Sequence, residues 1–541
     1  MNLSKSRQGT VNPAQASSGP WLNYLTFAIG TSLFLVPFLR YAFSGSDEGL
    51  LLCGAMRVAQ GQVFARDFFE IGGPGTFYLL GAFFKLFGVT FLAARIYLLF
   101  SLLGTAIAVY FLSRRLCNQY KLLPCLILSG TYFGILGQGI SCHIDGNFYA
   151  LVAVICLTLW SDRHKSGLLP AAGVLSGITT CIFQPKGVLL FCACMVWLLL
   201  QDRRASVLIP RLCWMAGGYF AAIGAVLGYF WSQGALGSLI YADIIFPSHD
   251  YNAVNSVPYG FGILKGGFWT QWVSLAPGSK WSQGAAAVLI TPHLFIAILP
   301  FALLLVGIGY RWKSATPAIQ LLWLSGFAMW LSESHRRDVA HLVWGAPLLV
   351  ILSVHLLGNW KSKFARAPVI VLYLSSALLA VCNLFAITAM AKPVTTRAGT
   401  ITTNETELAA VVSFIDGHVP PGGDIFVYPY SPIYYFLTRT NNPTRYTILQ
   451  YNYTTPEQFR EVIEILDRRR ARFAIWDTNF LQGNERNAFP GASSVNPAAL
   501  IVEPYLESHY REVENFKGVR IMERLDGEDV VGKDSSAEKG P

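Results

Sequence analysis

Runs of about twenty apolar residues, almost free of internal charge, recur along the first 390 residues of this chain. Inside lipid a backbone must bond to itself, so a run of that length is read as a helix crossing the bilayer. Such runs fall near 21–41, 90–112, 121–141, 145–160, 167–183, 186–200, 206–230, 288–310, 317–331, 341–359 and 367–390, about eleven in all. Composition agrees: 53% of the 541 residues are hydrophobic and 13% charged, which excludes a soluble enzyme of this size. The first run lacks a small-residue cleavage site and is read as an anchor rather than a removed signal. The shorter stretch 74–88, PGTFYLLGAFFKLFG, is expected to lie on the membrane surface as an interfacial helix.

The loops between these runs sort by charge. Lys5/Arg7, Arg114/Arg115/Lys121, Arg163/Lys165, Arg203/Arg204, Arg311/Lys313 and Lys361/Lys363/Arg366 all fall on one side, which the positive-inside rule makes cytoplasmic. The net charge of +10 is spread over those loops, and no nucleic-acid partner is needed to explain it. With the N-terminal segment 1–20 inside, eleven spans put segments 42–89, 142–144, 184–185, 231–287, 332–340 and everything after 390 outside. The ten cysteines precede residue 391 and show no C-x-x-C pairing. They are expected to be free thiols within spans. Cys53 and Cys142 are the pair that could both face an oxidising side.

Beyond residue 391 the pattern changes. DIFVYP (424–429) and RFAIWD (472–477) read as short buried strands. Between them TPEQFREVIEILDRRR starts with the capping box Thr455 to Gln458 and has Pro456 at its first helical position. Strands alternating with helices predict an extracytoplasmic α/β domain over 391–525, followed by a disordered tail at 526–541. The fold class is thus a polytopic α-helical membrane protein with a C-terminal α/β domain.

Polar residues near the outer face form a set: Asp47/Glu48, Arg57, Arg66/Asp67, Glu70, Lys85, His143/Asp145, Lys186 and SESHRRDVAH (332–341). Arg95 and Arg211 are among the few charges inside a span. Transporters carry ionisable groups near the bilayer midplane, whereas these sit at one rim, as a site acting on a lipid headgroup would. Each residue also has a plainer reading. Asp47 and Glu48 could be a solvated helix start capped by Ser46, and Asp145 another helix-start acid. Lys186 could snorkel from its helix end. A metal site from His143, Asp47 and His335 lacks any ligand spacing. No Walker, dinucleotide-binding or nucleophile-elbow motif occurs in a fitting context.

The order of these features resembles the integral-membrane glycosyltransferases of the C-type fold (GT-C), in the branch of protein O-mannosyltransferases and bacterial aminoarabinose transferases. The matching residues are Asp47-Glu48 after the first span, the amphipathic run 49–60, Arg66-Asp67-Phe68-Phe69-Glu70 through Pro74, and Leu86-Phe87-Gly88. Asp145, Lys186 and the basic loop 335–341 follow in the family's order. One departure is Gly73, where many members carry a Lys before the proline.

The resemblance implies a sugar donor on a polyprenyl phosphate, taken from the outer leaflet of the cell membrane, and transfer with inversion. Asp47 would be the general base, with Glu48 beside it and Asp145 positioning the acceptor or tuning Asp47. The donor phosphate or the rest of the substrate would be bound by Arg66, Asp67, Lys85, Lys186, His335, Arg336 and Arg337, with Lys85, Arg66, Lys186 and Arg336/Arg337 the candidates for the phosphate itself. No cofactor is required on this reading, and a divalent metal is conceivable without sequence support. The acceptor is a glycan, lipid or protein hydroxyl, with contacts expected in 231–287. Two other classes fit the same architecture: a transporter or lipid-carrier flippase without chemistry, and a ligase of lipid-linked glycans.

Overall fold

The computed structural model describes residues 20–42, 47–132, 139–251, 255–264, 280–309, 312, 315–360, 366–450, 454–479 and 501–525. The Ser46 cap, Lys5/Arg7, Arg311/Lys313, Lys361/Lys363, the tail and parts of 231–287 lie outside the described residues.

Each expected span holds a helix among its described residues. The helices are α1 (Pro20–Leu35, prolonged by a 3-10 turn Val36–Arg40), α2 (Glu48–Ala59), α3 (Gly75–Phe87), α4 (Phe91–Leu116), α5 (Leu123–Thr131), α6 (Cys142–Arg163), α7 (Leu168–Ile182), α8 (Gln184–Gln201), α9 (Ala205–Ser232), α10 (Lys280–Gly309), α11 (Pro317–Ser332), α12 (Val339–Gly345), α13 (Pro347–Asn359) and α14 (Arg366–Met390). Among the described residues seven helices are long and apolar enough to cross a membrane, or eight if α12 and α13, bent by 67°, form one span. The bend falls at Pro347, whose ring and missing N–H break the helical ladder. The other three runs give shorter helices: α5 with 9 described residues, α7 with 15 and α11 with 16. At 1.5 Å per residue, the fifteen residues of α7 reach about 22 Å, short of a full hydrocarbon core.

In lipid, helices associate through close packing rather than through water. Gly173 of α7 shows it: a Cβ there would lie 2.0 Å from the Met215 carbonyl of α9. All ten cysteines are free, including Cys53 and Cys142, so the one conceivable disulfide is not formed.

The C-terminal part opens with an antiparallel hairpin, β1 (Lys392–Thr396) and β2 (Gly399–Thr403), followed by α15 (Thr406–His418). Then come β3 (Ile425–Tyr428), α16 (Ile433–Thr438), α17 (Pro456–Arg469), β4 (Phe473–Asp477), α18 (Val502–His509), β5 (Tyr510–Phe516) and β6 (Val519–Arg524). The sheet order is β3-β4-β6-β5, with only β3 and β4 parallel. The Thr455–Gln458 capping box forms as the sequence predicts and starts α17, which buries Phe459, Val462 and Leu466.

This part is bonded to the membrane half through backbone hydrogen bonds. The amide of Ala42 donates to Thr402 (2.9 Å), that of Phe69 to Arg445 (2.8 Å) and that of Phe91 to Ala398 (2.8 Å). Phe84 of α3 stacks on Phe436 of α16, their centroids 5.7 Å apart. Helix α2, read from sequence as an amphipathic stretch, has ten of its twelve residues buried beneath this lid of chain.

Candidate active site

The two adjacent acids at the start of α2 have opposite surroundings. Glu48 is 1% exposed, and both its oxygens are taken by the guanidinium of Arg95 from α4. The amide of Ile140 donates a further bond to Oε1 at 3.0 Å. Arg95 itself is fully buried and lies over the Phe91 ring at 4.4 Å. Glu48 therefore ties α2 to α4 as half of a buried ion pair, not as a solvated helix-start acid.

Asp47 is exposed and makes no capping bond to its own helix, so the cap reading does not hold for its side chain. Its Oδ1 accepts instead from the hydroxyl of Tyr430, 2.5 Å away, in the C-terminal part. Glu70, Cys142 and Tyr251 stand within electrostatic reach of it. Glu70 is buried in the loop before α3. Burial pushes its carboxyl up to about 8, against the weaker downward pull of the Thr447 hydroxyl and of Arg57. Near pH 7 it is neutral and adds no second negative charge beside Asp47.

Asp145, in the first turn of α6, is 1% exposed and accepts from three hydroxyls: Thr76 (2.9 Å), Tyr97 (2.7 Å) and Ser101 (2.7 Å). It joins α3, α4 and α6 at one point and is no exposed helix-start acid.

Lys186 does not snorkel. Its ammonium is fully buried, 2.7 Å from Glu333 Oε1 and 2.7 Å from Asn147 Oδ1. Glu333 also pairs with His143 Nδ1 at 2.9 Å, and the His143 ring stacks on Trp344. Burial alone would raise the Glu333 carboxyl, but His143 and Lys186 outweigh it and hold the group well below the usual range. Next to it, Asp338 accepts from His341 Nδ1 (2.7 Å) and Arg336 Nε (2.6 Å). His335 is pushed down to about 4, chiefly by burial and then by His341, so at neutral pH it carries no charge for a phosphate.

The donor atoms of His143, Glu333 and His341 lie within 4.8 Å of one another, close enough to converge on a divalent ion. The trio considered from sequence is a different one, and Asp47 and His335 are not in the set. Glu333 is already paired with Lys186 and bonded to the His143 ring, so its carboxylate has partners within the protein.

Of the basic residues considered for a phosphate, Arg66 is committed to Asp67 (2.8 Å) and to the carbonyl of Gln233 (2.8 Å). Arg336 is committed to Asp338 and to Asn255. Lys85 and Arg337 are exposed and have no acidic partner among the described residues. Lys85 lines a mostly apolar groove of about 540 Å³ between α3 and α9, with Tyr78, Val226 and Phe230. A polar cavity of about 610 Å³ lies between α2 and the C-terminal part, lined by Arg57, Asn441, Asn442 and Arg445.

Sequence reasoning missed Tyr430, which lies 383 residues from its partner and carries no local signal. It also missed the role of Arg95. There the signal existed, because a charge inside a span demands a buried partner.

No protein-family model matches the chain, and no curated protein sequence matches it. Solved structures do. ArnT from Cupriavidus metallidurans bound to undecaprenyl phosphate superposes with a TM-score of 0.58 at 12% identity, covering 95% of this chain and 99% of that one. The same protein in its apo state gives 0.56 at 13% identity, over 93% and 98%. The archaeal oligosaccharyltransferase AglB from Archaeoglobus fulgidus aligns at 0.45 and 12% identity, over 93% of this chain and 74% of that one. The chain shares the fold of the ArnT structures, as the sequence resemblance predicted.

Proposed function

We propose that this protein is an integral-membrane glycosyltransferase that moves a sugar from a polyprenyl phosphate to an acceptor hydroxyl on the extracytoplasmic face of the cell membrane. The observation that carries the reading is Asp47: an exposed carboxylate next to a membrane-anchored helix pair, bonded by a tyrosine hydroxyl and within electrostatic reach of the buried Glu70.

The acceptor O–H gives its proton to Asp47 while its oxygen attacks the anomeric carbon from the face opposite the phosphate. The bond from that carbon to the phosphate oxygen breaks, its electron pair leaves with the polyprenyl phosphate, and configuration inverts. Lys85 and Arg337, exposed and without an acidic partner among the described residues, would meet the growing phosphate charge. The apolar groove beside Lys85 suits a prenyl chain, the kind of carrier bound in the ArnT structure. Asp145 and Lys186 are tied into the helix junctions and set the frame rather than the proton transfer. The reading calls on no metal.

Membranes holding the protein, incubated with a panel of radiolabelled polyprenyl-phosphate sugars, should release polyprenyl monophosphate and label an acceptor. Asp47→Asn keeps the side chain's size but removes the proton acceptor. It should lower turnover by at least about two orders of magnitude, at normal expression. Full transfer by that variant would refute Asp47 as the base. Release of a diphosphate would instead mark a glycan ligase.

A further inference from the structure

We infer that Tyr430 is a positioning residue for Asp47, so that the C-terminal part completes the catalytic site instead of only covering it. The inference rests on the reading of Asp47 as the base. A general base needs one carboxylate oxygen aimed at the proton it takes. Asp47 makes no bond to its own helix, so nothing in α2 fixes its rotamer. The hydroxyl of Tyr430 supplies what is missing: it donates to Oδ1 and leaves Oδ2 without a partner among the described residues. Tyr430 itself is 7% exposed.

The segment carrying Tyr430 is fixed on both sides. Ser431 has φ of +86°, a backbone region that non-glycine residues rarely adopt. Such a conformation persists only where surroundings impose it. They do so here: the amide of Leu449 donates to the Pro429 carbonyl at 2.9 Å. At Gly49, two residues after Asp47, a Cβ would lie 2.5 Å from the backbone nitrogen of Ile433. Only glycine lets α2 and the Tyr430 segment come this close. Among the described residues, Glu70, Cys142 and Tyr251 also stand within electrostatic reach of Asp47, whereas the bond to Oδ1 comes from Tyr430.

The test is a double-mutant cycle with Tyr430→Phe, which removes one oxygen and keeps the packed ring. In membranes with the donor panel, Y430F should lower turnover about tenfold with donor KM within about twofold. In the Asp47→Asn background the same change should cost less than about twofold, because a residue acting through Asp47 has nothing left to orient. Equal losses in both backgrounds, or no loss with Asp47 intact, would overturn the inference. A second cycle needs no turnover: melting of the purified protein with Y430F, Asp47→Ala and both. Non-additive shifts support the contact, and additive shifts overturn it. Should D47N alone transfer at the wild-type rate, the base reading falls. A disabled D47N with additive Y430F losses removes only the role of Tyr430.

Discussion

Replacing Glu48 by Gln keeps the side chain's shape and removes its charge. From sequence alone this change is expected to be mild, a helix-start effect of about 1 kcal/mol or less. The structure reverses that expectation. Glu48 and Arg95 form a pair that is 1% and 0% exposed, and the variant leaves a buried guanidinium without its counter-charge. Breaking one side of such a pair typically costs about 3–5 kcal/mol, far more than the pair is worth over an apolar substitute. Arg95 keeps the Tyr41 carbonyl and the Phe91 ring, which puts the cost near the lower end, about 3 kcal/mol. Glu48→Gln should therefore melt several degrees below wild type in detergent, and its expression should drop. Glu48→Gln combined with Arg95→Met removes the stranded charge and should recover much of the loss. Thermal melts followed by tryptophan fluorescence decide it. If Glu48→Gln melts with the wild type, or if the double variant is no better than the single one, the buried-pair argument is wrong. Asp47→Asn should melt normally, so the two neighbouring acids would separate cleanly into one needed for folding and one needed for turnover.

Two further outcomes follow from charge and burial. A single cysteine at Ser334, in a variant lacking the native thiols, should react with a membrane-impermeant reagent in intact cells, whereas one at Ser166 should react only after permeabilisation; the opposite pattern would put the site on the cytoplasmic face. Glu70, at about 8 in the fold against 4.5 when free, contributes stability that is complete below the unfolded value and lost as pH rises through the folded one. The melting temperature should thus fall between about pH 5 and 8, and Glu70→Gln should flatten that fall; an unchanged slope would refute the assignment.

How much of this was readable from sequence depends on how local each cause is. A span is written in its own twenty residues, so the apolar runs can be read locally, and among the described residues seven or eight of them give helices long enough to cross a membrane. The short helices α5, α7 and α11 show why length alone gives a smaller number. The start of α17 was legible because Thr455, Pro456 and Gln458 act within one turn. The orientation of Asp47 was not, because its partner arrives from a turn 383 residues away. Glu48 lay between these cases: the charge of Arg95 inside a span announced a partner without saying which.

Gly73 makes the same point for a departure from a family pattern. Many members of the resembling family carry a Lys before the proline; if that Lys holds the donor phosphate there, another base must do so here. At Gly73, however, a Cβ would lie 2.2 Å from the Cys181 carbonyl and 2.7 Å from that of Ile182. The end of α7 occupies the space, so no lysine fits without moving a helix. Those carbonyls also form a helix C-terminus, the negative end of its dipole, which disfavours an anion. In the proposed reaction the charge that meets the donor phosphate must therefore come from elsewhere. Among the described arginines and lysines at the rim, Arg66, Lys186 and Arg336 pair with carboxylates, and Arg57 is bonded to Gln62 and to two backbone carbonyls. That leaves Lys85 and Arg337 exposed, and Lys85 borders the groove that suits the carrier's chain.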